Sequence, residues 1–184
     1  MKRLAPLALT VLLAACGTGP GYMMELPPAQ SRLSTPARTI MLREVSMPDY
    51  AADDYMARQG SGGAVEFIRR TRWADLQPRA ATLALARQLD RTLDATVAPE
   101  PWPLSGLPDG EVDIRVSRIL AGTDGTFRLD GIFYVRAEGV SLGAPSREFA
   151  IAVPMPDESP AGIAAAQSAA LAQLAAVIAS SVAR

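Results

Sequence analysis

The 184-residue sequence predicts a single α/β domain built on a mixed sheet, and two patterns predict it. Several short segments alternate apolar and polar residues with period two, and the last three follow one another across tight turns as an antiparallel meander does. Two longer segments repeat apolar residues at the three-and-four spacing of helices that lie on a sheet. Six clear strand segments set the expected sheet at about five or six strands, and the meander excludes a purely parallel one.

The first segment is not part of that domain. Lys2 and Arg3 precede an apolar run of 12 residues, Leu4 to Ala15, that ends in small side chains. This is the order of a signal peptide, and it falls short of the ~20 apolar residues of an ordinary membrane span. Residues 1–15 are therefore expected to be removed. Residues 16–37 are rich in Gly, Pro and Ser and read as a flexible tether with a short strand around Tyr22 to Leu26. The folded domain is expected over residues 38–184.

Within it, "TIMLREV" (Thr39 to Val45) alternates as a strand, and Tyr55 to Arg58 pairs with Ala64 to Arg69 across a glycine-rich turn. A helix follows in "DLQPRAATLALARQLDRTLDA". Asp75 is its expected cap, and Pro78 is tolerated in its first turn. Thr82, Leu85, Ala86, Leu89 and Leu93 form one stripe opposite Arg87 and Arg91. Val97 to Gly110 holds four prolines and reads as a surface loop, although it carries Trp102, Leu104 and Leu107. The meander strands are Glu111 to Leu120, Thr126 to Ala137 and Arg147 to Val153, joined by "GTDGT" and "EGVSLGAPS". The last helix runs from Pro160 to about Val182 behind Ser159 as cap, with Ile163, Leu171, Leu174, Val177 and Ile178 on one face. Its other face is Ala165, Ala169, Ala172 and Ala176, either simply exposed or closely approached by a neighbouring helix. This helix carries no charge, yet Gln167, Ser168, Gln173, Ser180 and Ser181 argue for docking on the domain and against a membrane span.

Composition narrows the chemistry. The chain has no histidine and one cysteine, so an imidazole base and the commonest transition-metal ligands are missing. The carboxylate pairs Asp53–Asp54 and Asp157–Glu158 lie in turn-like sequence and read as solvated, not as a catalytic dyad. "GTGPG" follows no strand and opens no helix, so it is no phosphate loop. No metal site or cofactor is expected, and any catalysis would have to rest on Asp, Glu, Ser or Tyr. Loss of residues 1–15 leaves 16 basic against 19 acidic groups. The cluster Arg69, Arg70, Arg72 is too small for a nucleic-acid groove, and no nucleic-acid partner is expected.

The single cysteine needs its own account. A lone thiol forms no internal disulfide, and Leu13-Ala14-Ala15-Cys16 resembles the lipobox of bacterial lipoproteins. The resemblance implies cleavage before Cys16 and a diacylglyceryl group on its sulfur. Two or three acyl chains anchor a protein where one holds it only marginally. Gly17 in place of Asp at the next position implies export to the outer membrane, with the body on its periplasmic face.

A wider resemblance rests on "REVSMPDYAADDYMARQGSGGAVEFIRRTRWADLQPRAATLALARQLDRTL". With Arg72, Trp73, Ala74 and Leu76 in an Arg-Trp-Ala-x-x-Leu-like arrangement, the leucine one place early, the run is similar to the PqiC/YmbA-like auxiliary lipoproteins of MCE-type intermembrane transport systems. The meander and the alanine-rich final helix agree with that family. It implies an anticodon-binding-domain-like or TolB N-terminal-like α/β fold, no catalysis, and a component of a lipid transport assembly that supports membrane integrity. The implied partners are a periplasm-spanning MCE-domain protein and inner-membrane transporter subunits, with a homo-oligomeric ring as the implied assembly. The competing reading is an outer-membrane lipoprotein that regulates a cell-wall synthase or envelope assembly complex. Arg72 and Trp73 are expected to be structural. Trp102, Leu104 and Leu107 are the expected partner-binding residues, unless Trp102 folds back over the sheet edge.

Overall fold

A computed structural model of the protein describes residues 19–29 and 32–183. The signal segment, Cys16 and Gly17 lie outside the described residues.

The elements follow in the order β1 (Gly21–Tyr22), β2 (Thr39–Leu42), α1 (Asp49–Ala52), β3 (Tyr55–Gln59), β4 (Val65–Trp73), α2 (Gln77–Thr92), β5 (Thr96–Pro99), β6 (Gly110–Ala121), β7 (Thr126–Ala137), β8 (Ser146–Pro154) and α3 (Pro160–Val182). The eight strands form one mixed sheet. β6, β7 and β8 are the expected meander, with long antiparallel ladders between neighbours. The other edge of β6 is shared. β2 pairs with its start in parallel, at Ile40 opposite Gly110, and β3 pairs with its end, at Arg58 opposite Ala121. β5 continues the sheet beyond β2, while β4 and then β1 continue it beyond β3.

This split positions the functional surfaces. Along β6, residue 110 marks one end of the molecule and residue 121 the other, roughly 35 Å apart at ~3.3 Å per residue. The β3–β4 hairpin turn belongs to the second end and the segment that leads into β6 to the first.

Alternation makes one face of the meander apolar, and both long helices cover that face. Val112, Ile114, Phe127, Leu129, Phe133, Phe149 and Ile151 are buried beneath Leu85, Leu89, Leu171, Leu174 and Ile178. Gly131 lies where a Cβ would stand 2.3 Å from the Arg115 carbonyl oxygen, beside a register shift between Val116 and Arg118. The uncovered face carries charged residues in pairs such as Arg118–Asp130 and Arg136–Glu111.

α3 has the expected bounds, and the Ser159 hydroxyl accepts from the Gly162 N–H at 3.1 Å. Its length and mean hydropathy of 1.6 would suit a membrane, but 61% of that apolar window is buried inside the domain. Ala165 and Ala176 are exposed, while Ala169 and Ala172 are half-buried.

Three sequence expectations differ in detail. Asp75 does not cap α2: Leu76 occupies the cap position, and the Asp75 carboxylate instead accepts the Leu76 N–H and pairs with Arg79. Val97 to Pro99 is not loop but part of β5, where Val97 and Ala98 are buried. Pro99 is tolerated because, among the described residues, β5 is an edge strand and the Pro99 nitrogen faces away from β2.

The third concerns the tether, because the described part of residues 16–37 is laid along the body. Tyr22 pairs with Trp73, the Glu25 N–H reaches Ser168 Oγ at 3.3 Å, and Met24 and Leu26 pack against the core. Leu33 bridges to Leu93, and Thr35 Oγ1 donates to the Val182 carbonyl at 2.7 Å. The apolar residues Tyr22, Met24 and Leu26, spaced at two, are the sequence signal for this docking.

Candidate docking and anchoring surfaces

Trp73 ends β4 and is buried, with 8% of its surface exposed. Its backbone N–H donates to the Asp54 carbonyl at 2.7 Å, and the carbonyl of its strand neighbour Tyr22 accepts from the Ala74 N–H. Trp73 therefore joins β1, the start of β3 and the lead into α2. Arg72 points the other way. Its guanidinium pairs with Asp54 at 2.7 Å, donates to the Tyr55 hydroxyl and stands 4.3 Å from that ring's centroid. The pair is thus divided between core and surface by strand alternation.

The segment from β5 to β6 divides its apolar residues too. Trp102 is half-buried, and its Nε1 is enclosed with no hydrogen-bond partner among the described residues. Leu104 is 43% exposed and Leu107 is 84% exposed. The loop is fastened at both ends. At the start, the Glu100 N–H donates to the Leu42 carbonyl at 2.8 Å. At the other end, the Asp109 carboxylate accepts the Arg38 and Thr39 N–H groups at 2.8 and 3.1 Å, and the Asp109 N–H returns to Thr39 Oγ1. The Arg38 contact, foremost, holds the Asp109 carboxyl below the usual carboxylate range. Two exposed leucines thus project from a loop whose ends cannot drift.

The carboxylates singled out in the sequence serve their own turns. Asp53 accepts the Asp54 N–H, and Asp157 accepts the Ser159 N–H ahead of α3. Among the described residues no group of three or more His, Cys, Asp or Glu is placed to hold a metal ion. On the β6–β7 turn, hydrogen bonding to the Arg128 guanidinium pulls the Asp124 carboxyl down to about 2.

The signal that sequence reading missed lies on the β3–β4 hairpin. Tyr55, Val65 and Phe67 are 37%, 38% and 50% exposed, and the Tyr55 and Phe67 rings meet edge to face at 6.2 Å. Beyond β4, β1 pairs only at Arg72 and Trp73, so Val65 to Arg69 form a sheet edge with no neighbouring strand among the described residues. Reading "AVEFIRR" as a strand did not reveal that the face carrying Val65 and Phe67 is exposed, while Met56 and Ile68 on the other face pack against the core.

A family model described as the ABC-type transport auxiliary lipoprotein component matches residues 22–179. Among curated proteins, none is similar enough in sequence to be matched. Two crystal structures share the fold. An uncharacterized protein at 19% identity superposes with a TM-score of 0.72, covering 89% of this chain and 98% of its own. A protein of Xanthomonas campestris at 16% identity gives a TM-score of 0.63, covering 90% of this chain and 93% of its own. At such identities the likeness speaks for the fold alone.

Proposed function

Because the chain belongs to the family of ABC-type transport auxiliary lipoproteins, a non-catalytic family tied to transport machinery, we propose that it is the membrane-anchored docking component of an MCE-type lipid transport system. In this reading residues 1–15 are removed, Cys16 receives the lipid, and Gly17 directs the protein to the periplasmic face of the outer membrane. The exposed edge of the 102–107 loop receives the periplasm-spanning MCE-domain protein, which connects to transporter subunits at the inner membrane. Several copies arranged as a ring would match the end of a symmetric tunnel.

One observation carries the reading: the chain enters the body at the residue 121 end of β6, and Leu104 and Leu107 project near the residue 110 end. An anchor and a docking loop on one end would compete for the same space. Placed toward opposite ends of β6, they let a tethered body face the membrane and present its far end to a partner. The body needs no chemistry of its own for this role, since its contribution is position.

Co-purification of the native lipoprotein from detergent extracts tests the proposal. Recovery of an MCE-domain protein together with transporter subunits is the expected result. Recovery of cell-wall synthesis enzymes in their place would transfer the assignment to envelope assembly. Cys16→Ser is expected to abolish acyl labelling and release the protein from membranes, while unchanged membrane partition would remove the anchor from the account.

A further inference from the structure

We infer that the projecting β3–β4 hairpin is a second membrane contact, resting Tyr55, Val65 and Phe67 at the headgroup level of an anionic bilayer beside the lipid on Cys16. The inference rests on the reading of Cys16 as the lipidated residue. Its first support is the shortness of the remaining chain. The described structure begins at Gly19, three residues after Cys16, so at ~3.3–3.6 Å per residue the anchor lies within about 10 Å of Gly19. Gly19 itself is held in place: a Cβ there would lie 1.6 Å from the Arg70 carbonyl oxygen, so glycine alone permits the close approach to β4.

Direction supplies the second support. β1 runs parallel to β4 with Gly21 opposite Arg72, and Gly19 lies against Arg70. Followed backwards, the chain therefore travels along β4 away from Trp73 and toward Phe67 and the hairpin turn. A bilayer that receives acyl chains from Cys16 is brought to this end of the molecule.

The hairpin has the chemistry for that neighbour. Exposed rings at Tyr55 and Phe67 suit the boundary between headgroups and acyl chains, where amphipathic aromatic side chains concentrate. β4 also carries Arg69, its one acid Glu66 is paired with Arg58 at 3.5 Å, and a guanidinium group pairs well with lipid phosphates. The ladder begins with Gly60 bonded to Ala64, so its alternation turns the backbone polar groups of Val65 and Phe67 outward, where hydrated headgroups can satisfy them. A strand from another protein on the same edge is the rival occupant, but it does not account for an anchor tied this closely to the same strand.

The test uses the full lipidated chain in vesicles of phosphatidylethanolamine and phosphatidylglycerol that carry headgroup-proximal nitroxide lipids. Acylation consumes the only native thiol, so Phe67→Cys and Leu107→Cys each offer a single site for an environment-sensitive dye. Both positions are exposed, and melting curves verify that each labelled variant remains folded. The expected result is one dye per chain, loss of most fluorescence at position 67, and none lost at position 107. One dye per chain with equal or absent quenching at position 67 overturns the membrane contact while leaving the anchor intact. Two dyes per chain would show Cys16 to be free, overturning the anchor and this inference together.

Discussion

Trp73 and Asp109 show what single residues contribute. Trp73→Ala removes a buried indole from the junction of β1, β4 and α2, and is expected to cost about 3–5 kcal/mol. For a domain of this size that lowers the melting temperature by roughly 6–20 °C. A melt that stays in place would mean that the ring supports nothing. Asp109 acts through charge. Its folded pKa lies below 3.8, so the carboxylate stabilises the fold at neutral pH, and that stabilisation is lost as pH falls through the folded value. Asp109→Asn should melt earlier than the wild type at pH 7, and the gap should close in acid titrations below about pH 4. A gap that persists there would assign the loss to the hydrogen bonds alone. The expected structural place of Trp73 could be reasoned from its neighbours, a strand before it and a helix after it. The clamp at Asp109 could not, because its partners Arg38 and Thr39 lie about seventy positions away and nothing local marks the pairing.

Elements were legible where their signals are local. α3 has its expected ends because Ser159, Pro160 and the unbroken helical run all lie within the segment, and the meander strands match because alternation is a property of each strand. β5 was hidden because Pro99 and Pro101 look like loop, and only pairing with β2 makes Thr96–Pro99 a strand. β1 meets the short strand expected around Tyr22 to Leu26 only at Tyr22, because two residues become a strand only beside Arg72 and Trp73. The helices themselves meet through a buried polar contact that no apolar stripe announces. Gln77 and Gln167, each 3% exposed, hydrogen-bond across the α2–α3 interface. Gln167→Leu should strand the Gln77 amide and cost about 1–3 kcal/mol in denaturant unfolding, whereas Gln77→Met with Gln167→Leu should recover much of that loss. A double variant no more stable than the single one would show that packing, not the amide pair, sets the cost.

The whole molecule is organised along β6. At one end are Gly19, tight against β4, and the exposed hairpin; at the other are the fastened loop and its two exposed leucines. Sequence reading found the sheet, both long helices and the family resemblance, but not this polarity, since strand order and parallel pairing are nowhere written in local pattern. The polarity also implies a division of labour. Substitutions on the hairpin should alter attachment to membranes and spare the partner, and substitutions on the 102–107 loop should do the reverse. Leu107 is the cleanest probe because it supports no packing at 84% exposure, with Trp102→Ala as the companion variant. The deciding measurement is capture of the proposed MCE-domain partner by Leu107→Asp protein, with the melting temperature taken on the same sample. Lost capture with an unchanged melt is the predicted result, and full capture by both Leu107→Asp and Trp102→Ala would contradict docking at this end of the molecule.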